Sequence, residues 1–226
     1  MLTVHHLQVS QSDRIVWLCE ELEIPYKLKL HQRDPLLSPQ SIKDLHPIGA
    51  APIIQDGDLT LAESAACAEY IIHKHGDGRL ALAPSHKNYA AYLYWFHFAN
   101  GTLQPGVSRM AALRGAKVDP TNQVYKIYQD KLDNYFRHLD ERLGASTWLA
   151  GEEFTAADIM SVFSMTTMRE FFPYDLSGFP NILSYLQRAT SRPAYQRYHK
   201  KGDPNIDLSK LIGGPAPERM LTAKLG

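Results

Sequence analysis

The chain has 226 residues, and 44% of them are apolar, which is enough to bury a core in one large domain or two small ones. Its 24 lysine and arginine residues balance 24 aspartate and glutamate residues, so no overall field draws it to nucleic acid or to an anionic membrane. The N-terminal sequence has no cationic region followed by a long apolar run, and the two cysteines lie outside any C-x-x-C spacing. We therefore expect a cytoplasmic protein that binds neither nucleic acid nor membrane.

The first third of the chain mixes strand and helix patterns. A β-α-β arrangement comes first, and a hairpin follows around Asp56-Gly57-Asp58, a strong turn signal. A helix closed by Gly76 completes the set. The predicted elements are strands at 2–7 and 26–31, short strands at 52–55 and 59–61, and helices at 13–23, 38–45 and 62–75.

The rest of the chain shows helical periods only, so we predict an α/β domain followed by an all-α bundle. The predicted helices cover 85–114, with Ser85 as its N-cap, then 121–143, 155–170, 180–190 and a short piece after Pro193. The predicted domain boundaries are 1–78 for the α/β domain, 79–87 for a linker, 88–201 for the helical domain and 202–226 for an extended or frayed tail.

Two serines stand where the first strand passes into the first helix, in Ser10-Gln11-Ser12-Asp13. One interpretation is capping, with Ser10 as N-cap and Asp13 at N3, or with Ser12 as the cap itself. The other is functional, because free amides at a helix N-terminus stabilise an anion. The residues alone leave both open.

Two further positions have a structural and a functional interpretation. Pro52 is tolerated at the first residue of a strand, but a cis Ala51–Pro52 bond would instead present the backbone of Ala51 to an extended peptide. Ser64 is an N-cap candidate, and a helix N-terminus with a serine hydroxyl is also a carboxylate site.

In its order of motifs the chain resembles a soluble glutathione transferase of a microbial branch. The motifs that carry the resemblance are the Ser10-to-Arg14 spacing, His46-Pro47-Ile48-Gly49-Ala50-Ala51-Pro52, Glu63-Ser64, Phe154-Thr155-Ala156-Ala157-Asp158-Ile159, and the aromatic run from Tyr94 to Pro105. The resemblance implies a thioredoxin-like N-terminal domain that binds glutathione, a helical C-terminal domain and a homodimer.

The resemblance also implies roles for individual residues in binding glutathione. Ser10 would hydrogen-bond the thiolate, with Ser12, two positions further on, as the second candidate. The remaining implied contacts are Ala51 and Pro52 for the cysteinyl part, Glu63 for the γ-glutamyl ammonium, and Ser64 for the γ-glutamyl carboxylate. Many members have a lysine or arginine where this chain has Ala50, so Arg33, Gln40 or His46 is expected to take the glycyl carboxylate instead.

The second substrate is expected to be a small electrophile or a peroxide. In the resembling proteins it lies between the domains, beside the aromatic helix. The candidates are Tyr94, Phe98, Gly101, Thr102 and Pro105, with Arg109 as a polar partner, although an aromatic stripe at helical spacing is also typical of a core.

The predicted function is thus conjugation of glutathione to hydrophobic electrophiles, with glutathione-dependent peroxide reduction as a related activity. The alternative is a non-catalytic binding or scaffold module of the same fold, which Ala50 and Asn100 favour. No metal is expected, because His5-His6 and His73-Lys74-His75 lack a third ligand at a recognisable spacing and are interpreted as surface histidines.

The Thr155 segment predicts a capping box. Thr155 is expected to cap a helix while Asp158 reaches back to the Thr155 amide. Its role would be in folding, and loss of the Asp158 side chain should cost on the order of 1 kcal/mol of stability.

Overall fold

The computed structural model describes residues 1–218. The chain divides into two compact units. The first unit is Met1–Ala83 together with Ala189–Asp207, and the second is Pro84–Arg188 together with 208–218. A late segment of the chain therefore belongs to the first unit, whereas the sequence pattern had indicated a helical domain that runs without interruption to residue 201.

The elements follow the predicted order. Up to residue 83 they are β1 (Thr3–Leu7), α1 (Asp13–Leu22), β2 (Lys27–His31), α2 (Gln40–Lys43), β3 (Ile53–Asp56), β4 (Leu59–Ala62) and α3 (Ser64–Lys74). After it come α4 (Tyr89–Phe98), a π-helical turn (Ala99–Leu103), α5 (Gln104–Gly115), α6 (Gln123–Ala145), α7 (Ala156–Met165), a 3-10 turn (Thr167–Glu170), α8 (Pro180–Thr190), α9 (Pro193–Gly202) and α10 (Leu208–Ile212).

The first unit is built on a four-stranded sheet with the order β2-β1-β3-β4. β1 is parallel to β2 and antiparallel to β3, and β3 and β4 form the predicted hairpin. The predicted fold class, a thioredoxin-like α/β domain followed by a helical domain, is confirmed.

Helix α1 is buried on nearly all sides, because it packs against β1, α3 and α9. The Trp17 ring meets the Tyr195 ring edge-on with their centroids 4.8 Å apart. The guanidinium of Arg192 pairs with both carboxylate oxygens of Glu21, at 2.6 and 2.8 Å. Apolar packing and a two-point ion pair therefore fix α9 beside α1, which is why this late segment belongs to the first unit.

Two helix starts in the second unit differ from the sequence prediction. α4 begins at Tyr89, after Asn88 in the N-cap position, so Ser85 is not its cap. α6 begins at Gln123, because the Asn122 side chain accepts the Val124 amide at 2.8 Å. The predicted single helix at 85–114 is also interrupted by the π-helical turn.

The predicted capping box at the start of α7 is confirmed. The Thr155 hydroxyl accepts the Ala157 amide at 3.3 Å, and Asp158 Oδ2 accepts the Thr155 amide at 2.9 Å. Asp158 Oδ1 also accepts the Leu149 amide and the Tyr185 hydroxyl. Burial raises the pKa of the Asp158 carboxyl to about 6, against the hydrogen bonds that favour the ion.

The segment predicted as an extended or frayed tail contains α10 and is anchored beyond it. Arg169 donates to the carbonyls of Gly213 at 2.8 Å and Pro215 at 2.7 Å, and also to the Leu211 carbonyl. The prediction is therefore wrong for 208–215, because backbone carbonyls satisfied by a distant arginine leave no local sequence signal. Residues 219–226 of that predicted tail lie outside the described residues.

Candidate functional site

The loop between β1 and α1 brings the two serines together. The Ser12 hydroxyl is fully buried and lies 2.7 Å from Ser10 Oγ and 2.8 Å from His6 Nδ1. It also accepts the Leu7 amide at 3.1 Å and lies 3.2 Å from the Leu7 carbonyl. Ser12 is thus enclosed by protein groups, and Ser10, which is 7% exposed, is the outer of the two serines.

Neither serine caps α1 with its side chain. The helix begins at Asp13, which is therefore N1 and not N3, so the capping box with Ser10 as N-cap is wrong. Ser12 occupies the N-cap position, but its hydroxyl makes no capping hydrogen bond. The Ser10 hydroxyl instead accepts the Ser12 amide at 3.2 Å. Hydrogen bonds within the β1–α1 loop, and not a helix cap, therefore hold the side chains of Ser10 and Ser12.

Arg33 holds this loop in place. Its guanidinium donates to the carbonyl of Gln8 at 3.1 Å and to that of Val9 at 2.6 Å. Burial lowers the pKa of Arg33, and the charge of Asp203 opposes that shift. The Val9 amide donates to Asp203 Oδ1 at 2.8 Å, and Val9 has a φ of 54°. Arg33, one candidate for the glycyl carboxylate, is thus engaged with the backbone that carries Ser10.

The Ala51–Pro52 peptide bond is cis, and β3 begins at the next residue. The Ala51 carbonyl accepts the Gln11 side-chain amide at 3.3 Å, which links it to the β1–α1 loop. Gln40, the other glutamine considered for the site, is exposed and donates to Asp44 Oδ1 at 2.7 Å. The structure thus joins Ala51 to the serine loop through Gln11, a residue that the sequence analysis did not select.

The start of α3 combines an exposed carboxylate with a buried cation. Glu63 is in the N-cap position with a φ of 72° and a ψ of 118°. Ser64 is the first helical residue, so the prediction that it is the N-cap is wrong. Its hydroxyl accepts a hydrogen bond from Arg14 Nη1 at 3.2 Å. Burial lowers the pKa of Arg14 to about 10, which leaves the guanidinium charged at neutral pH.

This arrangement has the chemistry needed to bind an amino acid end. An ammonium can pair with Glu63, and a carboxylate can approach Ser64, the free amides of α3 and the charge of Arg14. A non-glycine residue at positive φ costs of order 1–3 kcal/mol, and such residues cluster at functional sites. Glu63 is one of five non-glycine residues of the first unit at positive φ, with Val9, Glu23, Asp77 and Leu80.

Four of the electrophile-site candidates, Gly101 among them, line one cavity of about 680 Å³ in the second unit. Tyr94, Phe98 and Thr102 belong to it, and Pro105 and Arg109 lie outside its lining. The Tyr94 and Phe98 rings stack with their centroids 5.8 Å apart. The other lining residues are Leu93, His97, Gly101, Tyr135 and His138, of which only Gly101 was selected from the sequence. The π-helical turn places Thr102 on this lining, and such turns are frequent at functional sites.

The prediction that His5 and His6 are surface residues is wrong. They are 1% and 0% exposed, because β1 is the inner strand between β2 and β3. His5 lies 3.0 Å from Gln55 Oε1, and His6 Nε2 lies 3.1 Å from Asp203 Oδ2. Among residues 1–218 no group of three histidine, cysteine, aspartate or glutamate side chains is arranged to hold a metal ion.

Two family models match the chain. One, described as the N-terminal domain of glutathione S-transferase, matches residues 10–74, and the other, described as the C-terminal domain, matches residues 102–193. A crystal structure of a glutathione S-transferase from Actinobacillus pleuropneumoniae is 30% identical, with a TM-score of 0.83 over 94% of this chain and 99% of that chain. This chain belongs to the glutathione S-transferase family.

Other members of the glutathione S-transferase family extend the comparison. Glutathione S-transferase 3 of Schizosaccharomyces pombe is 29% identical over 239 residues, covering 96% of each protein. Glutathione transferase URE2P6 from Phanerochaete chrysosporium, solved with oxidized glutathione, shares the fold, with a TM-score of 0.72 at 18% identity over 88% of this chain and 95% of that chain. The bacterial and fungal sources agree with the microbial branch indicated by the sequence.

In this member of the transferase family, four polar residues lie around the two serines and Ser64 and were not selected as site residues from the sequence. Arg14 served only as a spacing marker, and Gln11 was considered only as part of a cap. His6 was taken for a surface residue. Asp203 lies 197 positions after its partner His6, and no local pattern connects the two.

Proposed function

We propose that this protein is a cytosolic, homodimeric glutathione transferase that activates the thiol of glutathione and conjugates it to small hydrophobic electrophiles. Glutathione-dependent peroxide reduction is a second reaction open to the same thiolate. The observation that carries the proposal is the Ser10 hydroxyl, which stands at the outer end of a buried hydrogen-bond network beside the start of α1. A thiolate placed there would meet a hydroxyl donor and the positive end of a helix.

In this proposal the γ-glutamyl end of glutathione binds at the start of α3. Glu63 pairs with its ammonium, and Ser64 with Arg14 behind it receives its carboxylate. The cysteinyl part lies along the backbone of Ala51 next to Pro52. For the glycyl carboxylate Gln40 is a better candidate than Arg33, because the guanidinium of Arg33 already donates to loop carbonyls.

One serine hydroxyl can supply the stabilisation that the thiolate requires. Lowering the pKa of a thiol by about 2 units requires about 2.7 kcal/mol of preferential thiolate stabilisation. A hydrogen bond to a charged group contributes about 1.5–3 kcal/mol, and the helix dipole adds to it. Serine also suits this chemistry because it donates to the sulfur while the thiolate itself attacks the electrophile.

We further propose that the cavity lined by Tyr94, Phe98 and Thr102 accepts the electrophile. Its volume of about 680 Å³ lies within the range of pockets that hold small ligands. The aromatic rings favour flat, apolar compounds, and the Thr102 hydroxyl and His138 imidazole provide polar contacts. Arg109 and Pro105 have a weaker claim, because Arg109 lies over the Tyr128 ring, 5.9 Å from its centroid.

The decisive experiment is the ultraviolet thiolate absorbance of bound glutathione as a function of pH. The native protein should show a thiol pKa well below that of free glutathione, and Ser10→Ala should return it toward the free value. The exposed Ser85 provides the matched control, because Ser85→Ala also removes one hydroxyl and should leave the pKa unchanged.

Two other outcomes would change the proposal. A depressed thiol pKa that Ser10→Ala leaves unchanged would keep the transferase and assign the thiolate to the helix amides. Failure of glutathione to bind, checked by retention on glutathione-agarose, would favour the non-catalytic module, the alternative that Ala50 and Asn100 support.

A further inference from the structure

Four buried polar side chains form a continuous row behind the proposed thiol position. Ser10 Oγ lies 2.7 Å from Ser12 Oγ, and Ser12 Oγ lies 2.8 Å from His6 Nδ1. His6 Nε2 lies 3.1 Å from Asp203 Oδ2. His6 and Ser12 are fully buried, and Asp203 is 2% exposed. Every gap is thus of hydrogen-bond length, and the row leads inward from its most exposed member, Ser10.

The direction of the hydrogen bonds follows from the carboxylate at the inner end. An ionised aspartate only accepts, so neutral His6 donates its Nε2 proton to Asp203 and presents a bare Nδ1. The Ser12 hydroxyl then donates to Nδ1 at 2.8 Å in preference to the Leu7 carbonyl at 3.2 Å, and it accepts the Leu7 amide. One acceptor position remains on Ser12, and the hydroxyl of Ser10 donates into it. With His6 neutral, the Ser10 proton is therefore directed away from substrate.

Protonation of His6 reverses the direction of the hydrogen bonds along this row. Nδ1–H then donates to Ser12, whose hydroxyl has two acceptors within reach, Ser10 Oγ at 2.7 Å and the Leu7 carbonyl at 3.2 Å, and the shorter distance favours donation to Ser10. Ser10 Oγ already accepts the Ser12 amide at 3.2 Å, so both of its acceptor positions are filled. Its own proton is left to point outward. A protonated His6 thus converts Ser10 into the donor that a thiolate needs.

We propose that Ser10, Ser12 and His6 form a proton relay, positioned by Asp203, that takes up the proton of the glutathione thiol. This proposal rests on the proposed function and deepens it. The S–H bond breaks and its electron pair stays on sulfur. Ser10 and Ser12 each gain one proton and pass one on, and a new Nδ1–H bond forms on His6. The proton returns by the same path to the anion released when sulfur bonds to the electrophile.

The surroundings of His6 suit a buried imidazolium paired with a carboxylate. Asp203 is in direct contact, and its second oxygen is fixed by the Val9 amide. Arg33 also senses the charge of Asp203, and burial, together with the neighbouring His5, Lys29 and His6, lowers the pKa of His31, which favours its neutral form. The titratable Tyr198 packs beside Gly202 at the end of α9.

Gly202 sets how closely the backbone of α9 approaches the imidazole. A Cβ built at this glycine would lie 2.9 Å from His6 Nε2 and 3.2 Å from Cδ2, closer than side chains tolerate. The last residue of α9 therefore lies directly against the imidazole ring of His6, and the Asp203 carboxylate orients that ring. Gly202→Ala is a second way to disturb the relay without removing any of its polar groups.

The test is nuclear magnetic resonance of the full chain labelled with ¹⁵N-histidine, with the His6 signals assigned by their loss in His6→Gln. Glutathione should shift both His6 nitrogens to the values of a protonated ring. S-methylglutathione, which has no thiol proton, should leave His6 as the neutral Nε2–H tautomer. If the thiolate forms, as its ultraviolet absorbance reports, while His6 stays neutral, the relay is overturned and the transferase remains.

Absence of any change with either ligand, together with no retention on glutathione-agarose, would instead remove the proposed function itself and the relay with it. These two failures are therefore distinguishable in one set of samples. The NMR measurement uses the native protein, so it stands even where a substitution prevents folding.

Variants provide the second readout. Asp203→Asn keeps an oxygen for the Val9 amide but offers His6 a donor, which favours the opposite tautomer, so the bound thiolate fraction at a pH near the thiol pKa should fall several-fold. Gly202→Ala should act in the same direction. His5→Gln is the matched control, because His5 is the adjacent buried histidine and contacts Gln55 and His31.

Each variant's affinity for S-methylglutathione reports whether its binding site is still folded. Unchanged affinity with a raised thiol pKa in Asp203→Asn and Gly202→Ala, but not in His5→Gln, is the expected pattern. Thiol pKa values that stay native in Asp203→Asn and Gly202→Ala would overturn the relay.

Discussion

At the scale of single residues, the two serines of the β1–α1 loop differ in what they support. The Ser12 hydroxyl satisfies a buried backbone amide and a buried imidazole, whereas Ser10 is the outer member of the pair. The same chemical group, two positions apart, is therefore enclosed by protein groups in one case and is also available to a substrate in the other.

Removing the Ser12 hydroxyl should destabilise the protein more than removing that of Ser10. Ser12→Ala leaves the Leu7 amide and His6 Nδ1 without their partner, at a cost of about 1–3 kcal/mol. Ser10→Ala leaves only the Ser12 amide without its partner, so it should cost about 1 kcal/mol, less than Ser12→Ala, while it raises the thiol pKa. Urea unfolding of the two variants measures the difference, and equal losses would contradict the distinction between them.

Glu63 allows its charge and its backbone strain to be separated. Glu63→Gln keeps the strained φ but removes the carboxylate, so the affinity for glutathione should fall about tenfold, or about 1.4 kcal/mol, with little change in stability. Glu63→Gly should lose the same affinity and gain up to about 1 kcal/mol of stability, because glycine adopts positive φ freely. Isothermal titration and thermal melting separate the two effects.

Retained affinity in both Glu63 variants would mean that its carboxylate does not bind the γ-glutamyl ammonium. The exposed Glu69 on α3 serves as the control, since Glu69→Gln removes a carboxylate from the same helix and should bind glutathione normally.

At the scale of elements, the start of α7 is connected to more of the second unit than its capping motif indicates. The carboxylate of Asp158 receives the Thr155 amide, the Leu149 amide and the Tyr185 hydroxyl, which belong to the cap, to a preceding loop and to α8. The capping residue therefore also joins two neighbouring segments.

Asp158→Ala should consequently cost more than the loss of a cap alone. At pH 5 we expect a loss of about 2–4 kcal/mol, the sum of about 1 kcal/mol for the cap and about 1–3 kcal/mol for the buried donors left behind. Chemical denaturation measures it, with Asp130→Ala on the exposed face of α6 as a control expected to change stability by less than about 0.5 kcal/mol. A loss of stability of about 1 kcal/mol or less would mean that Asp158 stabilises the protein only as part of the helix cap.

At the scale of the whole molecule, the buried Asp158 should make folding depend on pH. Its folded pKa of about 6 lies above the ordinary value of 3.8, so the folded state binds a proton more tightly than the unfolded state. That contribution to stability is complete below about pH 4 and is lost as the pH rises through about 6, by on the order of 3 kcal/mol. Melting from pH 4 to 8 should show this decline, and Asp158→Asn, which cannot ionise, should flatten it.

The fold was predictable from sequence where local patterns carry it. The Asp56-Gly57-Asp58 turn signal marked the hairpin, helical spacing marked α1 and α8, and Thr155 with Asp158 marked the cap of α7. Ser10 and Ser64 were selectable because each lies at or just before the start of a helix, where unpaired amides make polar residues candidates for capping or anion binding, whereas Glu63 was selected through the family resemblance.

The parts of the fold and the site that could not be predicted depend on contacts between residues far apart in the sequence. His6 follows the pattern of a strand, but only burial beside Asp203 turns it from an apparent surface residue into part of the site. The same applies to Arg169, most of whose carbonyl partners are more than forty positions away in the last described segment. Hydrogen bonds of this kind have no period, so no reading of spacing reveals them.

The membership of Ala189–Asp207 in the first unit also bears on how the protein is made. Ser10, Ser12 and Glu63 are synthesised early, yet Asp203 leaves the ribosome only after Pro84–Arg188, the larger part of the second unit, has been synthesised. Until then the serine loop lacks the acceptor of the Val9 amide and the partner of His6. A nascent chain halted before this segment should thus possess the thiol-facing serine without the group that orients it, and activity would begin only near the end of translation.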